Sequence, residues 1–157
     1  MKADEVRLFF DYHFALNRKV WDQSICALTE EQFVQDLPYS IGSIRNQTVH
    51  MMSVDERWFS GLRNVPRPEF LDPADFPDRA AVRAYWDGVE AQMRETLRDL
   101  TDEQVEAEFT PGMATWQMVL HLVNHGTDHR AQMLAMLHKM GAPTFAQDYL
   151  HYLFGRL

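Results

Sequence analysis

Apolar residues recur at helical spacing along four long stretches of this chain, and no stretch alternates polar and apolar residues as a half-buried strand does. The first runs from about Asp4 to Leu28, with Val6, Phe9, Phe10, Leu16, Val20, Trp21, Ile25 and Leu28 on its apolar side. The second begins near Ser40 or Ser43 and reaches Leu62 through Ile44, Met51, Val54 and Trp58. The third opens at Asp78, a good N-cap, and carries Val82, Tyr85, Trp86, Val89, Met93 and Leu97 to Leu100. The fourth runs from Thr115, read as an N-cap, to Met140, where Gly141 and Pro143 prevent continuation.

The breaks are as informative as the stretches. Pro66, Pro68, Pro73 and Pro77 rule out an intact helix between the second and third stretches and predict a crossover or lid. Thr29-Glu30-Glu31-Gln32 and Thr101-Asp102-Glu103-Gln104 each place a Gln three residues after a Thr, which predicts a capped short turn. An apolar tail, Tyr149 to Phe154, predicts a short C-terminal helix or turn that packs back. The expected architecture is an all-α four-helix bundle, one domain over residues 1–157.

Composition acts mainly by exclusion. The formal net charge is -8 and no basic run stands out, which argues against a nucleic-acid partner. No apolar run is long enough to span a membrane, and Met1-Lys2-Ala3-Asp4-Glu5 carries acids where a signal peptide carries bases. A cytoplasmic protein without a membrane partner is expected. Cys26 is the only cysteine, so no disulfide forms within the chain. It sits among apolar residues and reads as a small buried hydrophobe.

The candidate chemistry lies in the fourth stretch. His121, His125 and His129 follow one another at four-residue spacing. Four residues return a helix to within about 40° of the starting direction, so the three imidazoles share one stripe with Met118, Leu122, Gln132 and Met136. That stripe is expected to face the interior. Helical carbonyls are already hydrogen-bonded, so several inward imidazoles need another partner, and a divalent cation is one. His50, midway along the second stretch, is the best candidate for a third ligand, although it lies on the flank of its apolar stripe. His13, His138 and His151 read as ordinary core or surface histidines, with His138 on the far side of its helix. Two familiar metal sites are excluded. His125 is followed by Gly126 where a zinc peptidase helix has Glu, and no Glu has a His three residues later as a di-iron bundle needs.

The motifs Trp116-Gln117, Leu120-His121-Leu122-Val123-Asn124-His125 and His129-Arg130-Ala131-Gln132 stand in a familiar order. So do Gly42-Ser43-Ile44, Thr48-Val49-His50-Met51 with Trp58 beyond, Tyr12-His13-Phe14-Ala15-Leu16-Asn17, and the tail Gly141-Ala142-Pro143 with Asp148 and Tyr149. Over nearly its whole length the chain resembles the DinB/YfiT-like superfamily of small metal-binding four-helix bundles. Ala131 stands where many members have Gly, a small-for-small change.

The resemblance implies three histidine ligands, one from the second helix and two from the last His-x-x-x-His: His50, His125 and His129. His121 then becomes a pocket neighbour, Asn124 and Gln132 become supporting or pocket groups, and His13, Asn17, Trp58 and Trp116 are expected to line the cavity. One divalent ion, zinc or nickel, is the implied cofactor, and a homodimer the implied assembly. Activities in the superfamily include transfer or isomerisation with a low-molecular-weight thiol such as bacillithiol or mycothiol, and metal-dependent hydrolysis. A metal-activated thiol or water acting on a small-molecule substrate is therefore expected, with thiol transfer favoured. The alternative is a stress-related metal or small-ligand binding protein without catalysis. His121 as a fourth ligand would favour that closed, structural site.

Overall fold

A computed structural model describes residues 1–156. Its long helices are α1 (Ala3–Lys19), α3 (Ile44–Leu62), α4 (Arg79–Arg98) and α6 (Thr115–Lys139). The short ones are α2 (Glu30–Val34), α5 (Asp102–Glu106) and α7 (Tyr149–Leu153). α1 packs on α4 and α6, and α3 packs on the same two helices, so the four long helices close into a bundle. Among the described residues no helix is long and apolar enough to cross a membrane.

Local chemistry sets most boundaries. The Ser43 hydroxyl accepts from Asn46 N–H at 3.0 Å to start α3, and the Asp78 carboxylate accepts from Ala81 N–H at 2.8 Å to start α4. Thr29 and Thr101 form reciprocal capping boxes with Gln32 and Gln104, opening α2 and α5. The start of α6 differs from expectation. Its N-cap is Ala114, not Thr115, because the chain enters from an antiparallel hairpin, β1 (Glu108–Thr110) and β2 (Met113–Ala114). Strands this short show no periodicity. The Gln117 side chain accepts from Ala114 N–H at 2.8 Å in place of a hydroxyl cap.

The first stretch stays helical to Ala27, but not uniformly. Val20–Ser24 is a π-helical turn, and a 3₁₀ turn at Ile25–Ala27 comes after it. A π turn holds an extra residue and rotates the residues beyond it. Ile25 and Leu28 stay buried while Cys26 faces solvent, which corrects its reading as a core residue. The proline-rich segment is a docked crossover: Arg57 donates to Pro68 O and covers the Phe70 ring, and Ser53 Oγ accepts from Leu71 N–H at 3.1 Å.

Two large apolar clusters fill the bundle, and a smaller third one, Tyr12, Leu16 and Val123, seats the C-terminal segment. One gathers Val6, Phe10, Phe14, Val54, Phe59, Met93, Met118 and Leu122. The other gathers Trp21, Ile25, Phe33, Ile44, Met51, Met52, Trp86, Met133 and Leu137. Along each long helix the switch between clusters is marked by buried polar groups or glycine: His13 and Asn17 on α1, Asp55 on α3, Glu90 on α4, Gly126 and Arg130 on α6. The bundle thus has a polar waist, and the three candidate ligands lie at that level.

Candidate metal centre

α3 and α6 pack with their flanks together, and this contact brings the distant histidines into one place. The buried arc of α6 runs through Leu122, Val123, Gly126, Arg130 and Met133. The histidine stripe lies at the α3-facing edge of that arc rather than at its centre, a correction to the expected inward stripe. His125 and His129 are half-buried, as is His50, and His121 is exposed. Ring centroids stand 5.2 Å apart for His50 and His125, 4.6 Å for His50 and His129, and 4.3 Å for His125 and His129. One nitrogen from each lies within 4.8 Å of the others, and Nε2 of His50 is 3.2 Å from Nε2 of His125.

The donor set suits a transition metal. A tetrahedral zinc with bonds of about 2.0–2.1 Å to nitrogen holds adjacent donors about 3.3 Å apart. The 3.2 Å between the two Nε2 atoms matches that edge. A proton shared between His50 and His125 would satisfy that pair alone, whereas one cation satisfies all three rings. Charge points the same way. Burial lowers the pKa of His50 and of His129, and His129 lowers that of His50 further. His125 is pushed down to about 4, by burial first and then by His129 and His50. All three are therefore neutral near pH 7, with lone pairs free for a cation.

The third ring is tethered. His129 Nδ1 lies 2.7 Å from Oε1 of Gln47, which is fully buried one turn before His50 on α3. Gln47 Nε2 donates to Ser40 Oγ at 2.7 Å and approaches Gln132 Oε1 at 3.3 Å. Ser40 Oγ donates to Gln132 Oε1, and Gln132 Nε2 donates to Asp128 Oδ2 at 3.0 Å.

Behind the histidines a second polar cluster is sealed from solvent. Arg130 is fully buried and donates through Nη1 to Asn17 Oδ1 at 2.8 Å and to His13 Nδ1 at 3.3 Å. On the other side of the His13 ring, Nε2 lies 3.1 Å from Asp55 Oδ2 and 3.0 Å from Asn17 Nδ2. Burial lowers the Arg130 pKa to about 10, so it stays charged at neutral pH. Its Nε reaches Gln147 Oε1 at 3.2 Å, while Tyr12 donates to Gln147 O at 2.6 Å, so the cluster also clasps the C-terminal segment.

The expected pocket residues divide accordingly. His121 and Asn124 line an open groove of ≈ 510 Å³ with His125, Thr127, Asp128 and Ala131. Trp58 does not line the groove but packs edge-on against His121, with centroids 5.2 Å apart. His13 and Asn17 do not line this groove: both are buried in the sealed cluster, and Asn17 borders only a small cleft with Arg18, Trp86 and Glu90. Trp116 packs with the apolar cluster at the start of α6, about 13 Å along the helix from His125, and stands apart from the histidine cluster. His138 is exposed, as expected. Gln47, Asp55 and Arg130 escaped the sequence reading. The available signal was a charged or amide residue at a position whose helical neighbours are core.

A helical bundle carrying three convergent neutral imidazoles beside an open groove defines a protein with a candidate site for one divalent metal ion. Comparison with known proteins places it more narrowly. A sequence profile of the DinB family matches residues 3–156, and the chain belongs to that family. The structure resembles the crystal structure of a DinB-like protein from Bacillus cereus ATCC 10987, with a TM-score of 0.70 and 19% sequence identity. That match covers 92% of this chain and 97% of the other, and shows a shared fold. No match was found among curated proteins.

Proposed function

We propose that this protein is a metal-dependent enzyme in which His50, His125 and His129 hold one divalent ion, zinc or nickel. The observation that carries this reading is the convergence of the three ligand atoms within 4.8 Å, with His125 also forming part of the groove wall. A structural zinc site is normally closed by four protein ligands. Among the described residues the cluster holds three, with His121 outside it, so a face is left for a small molecule. An ion held there lowers the pKa of a water or thiol that reaches it, supplying a nucleophile near neutral pH.

The favoured reaction is transfer to a low-molecular-weight thiol. The thiol sulfur forms a bond to an electrophilic carbon, that carbon's leaving group departs with the bonding pair, and the thiol proton passes to solvent. His121 and Asn124 offer hydrogen-bonding groups along the groove, and the Trp58 ring offers an apolar face behind His121.

The first test is metal analysis of protein purified without a nickel column. One ion per chain is expected, falling to none in His125→Ala, with the fold checked by circular dichroism. Full metal content in the variant would remove the ligand assignment. A panel of thiols offered with an electrophilic acceptor then separates transfer from hydrolysis and from an inert binder. Turnover without thiol favours hydrolysis, and no turnover with metal bound favours the non-catalytic reading.

A further inference from the structure

The polar chain that ends on His129 has a direction, and the direction has a consequence for the ligand. Asp128, when ionised, can only accept hydrogen bonds. Gln132 must therefore turn its NH₂ toward Asp128, which leaves its Oε1 facing Ser40 and Gln47. With that oxygen as acceptor, Ser40 donates its hydroxyl proton to it and offers a lone pair to Gln47. Gln47 must then present its NH₂ to Ser40 and Gln132, so only its Oε1 remains for His129. A carbonyl oxygen accepts and cannot donate, so His129 carries its proton on Nδ1 and leaves Nε2 bare. Neither His50 nor His125 has a comparable protein partner on its other ring nitrogen among the described residues.

We infer that Gln47 is a positioning residue: through the Ser40–Gln132–Asp128 chain it commits His129 to coordinate by Nε2, and so sets the metal affinity of the site. The inference rests on the three-histidine reading above. Its physical basis is general. A ligating imidazole whose second nitrogen donates to a fixed acceptor is held in one tautomer and one orientation and is a better donor, and losing that acceptor weakens metal binding about 10–100-fold. The geometry favours Gln47 over a passing contact. Its side chain is fully buried, its bond to His129 is short at 2.7 Å, and both halves of its amide have partners that forbid a flip. Ser40 sits in the loop before α3 with φ 52, a left-handed conformation that a non-glycine residue holds only when its surroundings support it.

The test uses the whole chain and zinc as the probe, with affinity read by competition against a chromogenic chelator. Gln47→Met keeps the length and removes the acceptor, and a loss of about 10–100-fold is expected. Gln47→Glu restores an acceptor and should recover most of that affinity, which a merely structural role does not predict. Ser40→Ala, on an exposed loop that should not threaten folding, is expected to lower affinity in the same direction by less. A second readout is the nitrogen-15 spectrum of the imidazoles in chelator-treated protein. His129 should show one tautomer with the proton on Nδ1 in the unaltered chain, and a mixture in Gln47→Met. Unchanged affinity and tautomer in a folded Gln47→Met, or no recovery in Gln47→Glu, overturns the inference while leaving the metal site standing. Failure of the metal reading looks different: the unaltered chain takes up no zinc, and Gln47 then has no ligand to position.

Discussion

Gly126 offers a test in which two physical effects have opposite signs. It lies inside α6 beside His125, at the point where α1 presses the His13 ring against the α6 backbone. A Cβ built there collides with His13 Cε1 and stands 2.6 Å from His13 Nδ1 and 3.0 Å from Arg130 Nη1. The ring cannot swing aside without leaving Asp55 and Arg130. In an open helix, Gly→Ala stabilises by about 1 kcal/mol. Here overpacking costs about 1–3 kcal/mol, and disturbing the buried bonds of His13 costs about 1–3 kcal/mol more. The net expectation for Gly126→Ala is a loss of about 1–5 kcal/mol, or about 2–20 °C in melting temperature for a domain of this size. Gly88, in α4, supplies the control, because nothing lies within 4 Å of its added Cβ. Gly88→Ala should gain up to about 1 kcal/mol. Urea unfolding of both variants, monitored by circular dichroism, measures the pair. If Gly126→Ala is as stable as Gly88→Ala, α1 and α6 do not meet at His13 as described, and the sealed cluster behind the ligands is wrong.

Arg130→Met should cost about 3–5 kcal/mol, since it leaves the buried Asp55 without its nearby cation and strips the acceptors on Asn17 and Gln147. The same change should expose residues 143–156 to limited proteolysis, and an unchanged digestion pattern would deny the Gln147 clasp. The metal-free protein should lose stability in acid through its histidine cluster. The folded-state pKa values of His50, His125 and His129 are lowered, so their contribution is full above the unfolded value of about 6.5 and fades as pH falls toward 4. Melting temperatures of chelator-treated protein from pH 7.5 to 4.5 should fall, and they should fall less in His125→Ala; an equal decline in both would refute that origin.

Much of the architecture was legible because it rests on neighbours in the chain. Thr29 with Gln32, Thr101 with Gln104, Ser43 and Asp78 each start a helix by contacts spanning three residues, and such contacts form wherever the backbone can turn. The spacing of His125 and His129 likewise guarantees adjacent rings on any helix. The sites of error were places where a non-local event overrode a local pattern. The π turn at Val20–Ser24 rotated Cys26 out of the core, and the hairpin before α6 moved its cap to Ala114.

By itself, then, the sequence determined four amphipathic helices, the capped starts of α3 and α4, and a pair of imidazoles one turn apart, since each arises from helical periodicity and short-range hydrogen bonds. Only the tertiary structure decided that His50 joins that pair, that His121 does not, and that Gln47, Asp55 and Arg130 matter at all. Those outcomes depend on which flank of α3 meets which flank of α6, and on α1 closing over Gly126. The crossing of helices is set by packing across the whole core, which no single window of sequence contains.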